Sequence, residues 1–202
     1  MSGEHEDLVG AAAGLLAQGS GVPTPEEIAE VAGVPVATVG DGTAVLAEAL
    51  LVHVGSTMNS TPGLPPAGEG TVEENLGMFI AAGCEVLGQV APAFARLAAR
   101  PDVLARFHAM VGGDAAFGAP AGDSRGVEGR GLPDLLSGYL RAEQELGRVP
   151  ADADVPAVVS LVVGAIHGQI LPPVLFNPGT PVRPSADLAA RLAAVVVRGL
   201  AR

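Results

Sequence analysis

Apolar residues recur at helical spacing along almost the whole chain, and the strict alternation of a half-buried strand is hard to find anywhere. Over residues 5–18, Leu8, Ala12, Leu15 and Leu16 share one helical face, and Gly19-Ser20-Gly21 ends the run. TPEEIAEVAG then opens with Thr24 as N-cap, Pro25 at the first helical position and Glu27 three residues after the cap, a capping box, and Gly33 closes a short second helix. From Pro35 a short helical piece reaches Gly40-Asp41-Gly42, and a longer helix runs from about Thr43 to Met58. NSTPGLPPAGEG is a Pro/Gly linker. Beyond it the pattern predicts helices at about 71–90, 91–99, 101–111, 133–148, 155–171 and 185–201, with a Gly-rich mobile loop over 112–131.

Residues 155–182 carry no charge, and VPAVVSLVVGAIHGQIL is the most apolar stretch. A membrane span needs about 20 apolar residues, and His167, Gln169 and Pro172-Pro173 interrupt the run too early. A buried helix of a soluble protein is therefore expected, covered on nearly all sides, with Ser160, Gly164, His167 and Gly168 forming a ridge suited to close packing.

Composition narrows the fold class. Apolar residues make up 49% of the 202 positions and charged ones only 16%, so the chain folds. With no Trp, one Tyr and five Phe, the core must be built from Leu, Val and Ala, which points to an all-α fold. Cys84 stands alone, so neither an internal disulfide nor a cysteine metal cluster is expected, and the acidic start MSGEHEDL does not resemble an export signal. A cytoplasmic location is the expectation.

Charge is distributed unevenly. Residues 1–95 hold twelve acids and no Lys or Arg, whereas the remainder holds ten acids and all eleven arginines. A GC-rich genome explains arginine in place of lysine, but not the absence of both. DNA-binding proteins neutralise phosphates with about 6–10 Lys or Arg contacts, and this N-terminal part offers none. Nucleic acid is not an expected partner.

IAEVAGVPVATV resembles the first half of the helix-turn-helix of TetR-type transcriptional regulators, and LRAEQELGRVPADADVPAVVSLVVGAIHGQ is similar to their C-terminal ligand-binding and dimerisation domains. The resemblance implies a TetR-like all-α chain with a three-helix head over 1–45 and a helical body over 46–202. It further implies a homodimer through helices 155–171 and 185–201, and a ligand pocket bounded by helices 43–58, 71–90, 101–111 and 133–148. The recognition segment departs from the family's basic and aromatic pattern: it reads Val36, Ala37, Thr38, Val39, Gly40, Asp41, Gly42, Thr43. Each glycine costs about 1 kcal/mol inside a helix, so a truncated recognition helix is expected.

Helical position gives the candidates for the pocket. His108 lies one turn after Leu104 and beside Phe107, and Tyr139 comes after Leu135 and Leu136 at inward spacing, so these two are the candidate proton donors or acceptors. His53, Asn75, Met78, Phe79, Phe107 and Leu135 are the candidate ligand contacts. For each histidine a hydrogen-bonded structural role competes with this one, and Phe79, Phe107 and Met78 compete as core residues. Cys84 has no basic neighbour in sequence and reads as an inert thiol. No phosphate loop, nicotinamide fingerprint, HExxH or Ser-His-Asp signature is present, so neither cofactor nor metal is expected.

Three functions are compatible with this sequence. One is a homodimer that no longer binds DNA and uses its apolar pocket to bind, or to transform without a cofactor, a small hydrophobic metabolite of specialised metabolism by cyclisation, isomerisation or elimination. Another is a ligand-responsive repressor. The third is an acidic interaction partner of a basic protein or of a true regulator.

Overall fold

A computed structural model describes residues 2–18, 21–111, 131–176 and 186–200. Among the described residues there are eight α-helices, one 3-10 turn and no strand. The helices are α1 (Ser2–Gln18), α2 (Pro25–Ala32), α3 (Thr43–Ser60), α4 (Val72–Leu97), α5 (Pro101–Met110), α6 (Leu132–Glu145), α7 (Val155–Phe176) and α8 (Ala186–Leu200); the 3-10 turn is Val36–Thr38. Except for Gly131, the segment expected to be a mobile loop lies outside the described residues.

Most sequence-predicted helices are present within a few residues of their expected limits. Two differences are instructive. Residues 71–99, expected as two helices, form the single helix α4, which runs through Pro92. The neighbours Val90, Ala91 and Ala93 are all buried, and this burial offsets the donor that proline lacks. Likewise α7 continues through Pro172-Pro173 to Phe176 and buries Val174 beyond them.

The helices form two compact units. The first comprises Met1–Ser60 and Gln89–Val127, the second Thr61–Gly88 and Glu128–Arg202. In the first, α1 packs on α2 and α3, and α3 packs on α5. Their shared core is aliphatic, with Leu8, Leu16, Ile28, Leu46 and Leu50 at its centre and Leu97, Val103 and Phe107 joining from α4 and α5. Phe107 meets Phe94 edge to face, ring centroids 5.3 Å apart. The Arg96 guanidinium donates to the Leu16 carbonyl at the end of α1, where a cation also suits the helix dipole.

In the second unit α7 packs on α6 and α8. Val155, Val159, Val162, Val163, Ile166, Ile170 and Val174 make the buried stripe of α7. A Cβ on Gly83 of α4 would stand 2.8 Å from Ile166 Cδ1, so the glycine permits this close approach. The opposite stripe of α7 is uncovered in the single chain: Ala157, Leu161, Gly164, Gly168, Pro172 and Leu175 are exposed. By length and composition alone α4 and α7 are apolar enough to cross a membrane.

Candidate functional site

Two places in the molecule bear on function: the helix-turn-helix segment of the first unit and a groove in the second. In the segment, α2 has a complete set of end signals. Glu27 N–H donates to Thr24 Oγ1 at 3.2 Å and Thr24 N–H to Glu27 Oε2 at 2.8 Å, while Gly33 in the left-handed region (φ 69°) satisfies the Ala29 and Glu30 carbonyls. The stretch after Gly33 is far shorter than a recognition helix. Val36–Thr38 makes one 3-10 turn, and Gly40 (φ 65°) and Gly42 (φ 73°) then carry the backbone through conformations that no α-helix contains. Thr43 N–H bonds Asp41 Oδ1 at 3.0 Å where α3 begins.

The groove of the second unit has a volume of about 730 Å³. Its floor is apolar, from Gly77, Met78 and Ala81 of α4 and Ala189 and Ala190 of α8, and Glu69, Glu73 and Glu74 contribute carboxylates. An adjoining hollow of about 620 Å³ shares Glu73 and Glu74 and adds Arg148 and Val197. Glu74 forms a second capping box, bonding Thr71 N–H at 3.2 Å and Thr71 Oγ1 at 2.7 Å; these bonds hold its carboxyl below the ordinary range.

Behind the groove lies a buried polar cluster. Asn75 donates from Nδ2 to Tyr139 Oη at 2.9 Å and to the Glu69 carbonyl at 2.8 Å. Fully buried Glu143 accepts from Gly68 N–H at 3.2 Å and pairs with Arg148 Nε at 3.3 Å, and Arg148 reaches the Gly70 carbonyl at 2.5 Å. Burial, first of all, pushes the Tyr139 hydroxyl up to about 12, so it is held protonated. The Glu143 charge also acts on Tyr139 and favours its protonated form. Asn75 of α4 and Glu143 of α6, together with Arg148, thus clasp the backbone of Gly68–Gly70.

The structure brings together only some of the sequence-predicted site residues. Asn75 and Met78 line the groove, Tyr139 bonds Asn75 beneath it, and Phe79 is buried on the same helix. Leu135 is exposed on α6. His53, Phe107 and His108 belong to the first unit, where Phe107 is core and His108 half-buried. His53 Nε2 lies 3.3 Å from the Gln89 carbonyl oxygen, which can only accept, so this nitrogen carries the proton. Glu143 and Arg148 are not among the expected residues. Their signal is legible nonetheless: Glu143 continues the Leu136, Tyr139, Leu140 stripe of α6 at a spacing reserved for buried positions. Cys84 is buried and its thiol is pushed up by desolvation. Among the described residues no three His, Cys, Asp or Glu side chains are grouped to hold a metal ion.

No protein-family model and no curated protein matches the chain. Solved structures do. The fatty acid degradation regulator FadR from Bacillus halodurans superposes with a TM-score of 0.57 at 15% identity, over 98% of this chain and 96% of that one. FadR from Bacillus subtilis, solved in complex with stearoyl-CoA, gives 0.53 at 14% identity, over 96% and 98%. A TetR-family transcriptional regulator from Mesorhizobium loti gives 0.62 at 15% identity, over 98% and 95%. Over nearly its whole length, then, this chain has the fold of the TetR-family transcriptional regulators.

Proposed function

We propose that this protein is a TetR-fold homodimer whose head, residues 1–45, does not grip DNA and whose body, residues 46–202, binds a small apolar molecule. The observation that carries the first half is the segment after α2: a single 3-10 turn between left-handed glycines, in a stretch of 95 residues without one Lys or Arg. Backbone N–H groups alone must then overcome the repulsion between phosphates and twelve carboxylates. A mobility-shift titration with random-sequence duplex DNA at low ionic strength is expected to give no shift, and a salt-dependent shift overturns this half.

The groove supports the second half. Its apolar floor takes a hydrocarbon portion, and its carboxylates select a neutral or cationic head over a phosphate. This sets it apart from the stearoyl-CoA bound by the Bacillus subtilis regulator. Thermal-shift titration is expected to show stabilisation by a long-chain amine or alcohol and none by stearoyl-CoA. In this scheme Tyr139 shapes the groove through Asn75 rather than transferring a proton, since the Asn75 amide that donates to it is itself tied to the Glu69 carbonyl. The uncovered stripe of α7 supports the dimer: an apolar face of this extent is covered by a second copy. Leu161→Glu is expected to give a monomer by light scattering.

A ligand-responsive repressor is the second possibility, favoured by the regulators that share the fold. The same mobility shift separates the two.

A further inference from the structure

The corner between α2 and the 3-10 turn exposes apolar side chains that the core of the first unit does not use. Ile28, Ala29 and Val39 turn inward and are buried, whereas Val31 is 60% and Val36 47% exposed. Pro35 and Ala37 are exposed beside Val36. Left-handed Gly33, bonded back to Ala29 and Glu30, fixes the corner that carries them. Val31 and Val36 stand on either side of this capped corner and present aliphatic surface beside its carboxylates.

Every charged residue on this stretch is an acid. Glu26, Glu27, Glu30 and Asp41 are all exposed, and Glu27 is partly engaged in the α2 cap. The first arginines along the chain are committed elsewhere, Arg96 to the Leu16 carbonyl and Arg100 to Asp102 and Thr43. By sequence the first unit holds eleven acids against four arginines.

We propose that this corner docks a cationic amphipathic helix of a partner protein, its apolar side on Val31 and Val36 and its Lys or Arg side towards Glu26, Glu30 and Asp41. Charge selects the occupant. A second copy brings the same carboxylates and a nucleic acid brings phosphates, and both are repelled. Exposed ion pairs contribute mainly orientation and encounter rate, so the valines carry the affinity.

The test uses the full chain and a short fluorescent peptide of leucine and lysine arranged at helical spacing, monitored by anisotropy. Wild-type protein is expected to bind it saturably, and a peptide of the same composition in scrambled order is expected to bind far less. Val31→Asp with Val36→Asp adds negative charge, so simple charge attraction predicts tighter binding, whereas docking on the valines predicts a loss of about tenfold. Both positions are exposed, and Val31→Ser with Val36→Ser gives the same comparison at unchanged charge should the aspartates lower the melting temperature. Unchanged or tighter binding by these variants overturns the proposal, as does equal binding of the scrambled peptide.

Discussion

The two units close their cores in different ways. Among the described residues the first has Thr57 as its single buried polar side chain, and of its charged groups Arg96 is folded part-way in, against the end of α1. The second buries a carboxylate completely, with Asn75, Tyr139 and Arg148 arranged around it and the backbone of Gly68–Gly70 as further partner. Hydrocarbon packing tolerates many arrangements of similar volume, whereas a buried ion pair depends on one arrangement of its partners; here Glu143 Oε2 has the ion pair with Arg148 but no hydrogen bond of its own. The first unit is therefore held by volume. The second is held by geometry.

The largest effect expected lies in the first unit. Phe107→Ala removes a buried ring and its contact with Phe94, at a cost of about 4 kcal/mol in urea unfolding. Glu143→Ala should cost about 3 kcal/mol, because it leaves Arg148 and the Gly68 amide without their acceptor. Replacing both members by Met is expected to cost much less, within about 1 kcal/mol of the wild type; if the double variant is as unstable as the single, packing rather than charge governs the cluster. Smaller still is Tyr139→Phe, about 1 kcal/mol for the lost hydrogen bond.

Tyr139 also gives the comparison a pH signature. An unfolded tyrosine releases its proton near 10, the folded Tyr139 only near 12. Between these values the unfolded state binds fewer protons, so the stabilisation is complete below pH 10 and is lost as pH rises towards 12. Melting temperatures over this window should fall for the wild type and fall less for Tyr139→Phe. Equal slopes would dissociate the hydroxyl from stability.

How much of the structure is visible in the chain differs between the same two regions. Helix positions, the Thr24–Glu27 capping box and the Gly33 stop are local signals, and each is present in the structure. The second capping box, Thr71 with Glu74, has the same local signature, although the expected start of its helix at about residue 71 rests on apolar spacing alone. Pro92 misleads, because a local rule breaks the helix where burial on both sides maintains it. The groove depends on pairings between α4, α8 and the 65–70 segment, which no spacing within one helix reveals. Of the residues singled out by helical position, Asn75 and Met78 lie along this groove, while Leu135 is exposed.

The first arginine in the chain is folded inward, its guanidinium on the last turn of α1. Trypsin cleaves after Lys or Arg, so its earliest cut in this chain comes after Arg96, and in the native protein the bond to the Leu16 carbonyl shields even this site. A denatured sample releases the N-terminal 96 residues as one tryptic peptide, whereas a glutamate-specific protease meets ten sites before Arg96. The asymmetry that removes DNA from the expected partners thus also decides which enzymes can take the protein apart.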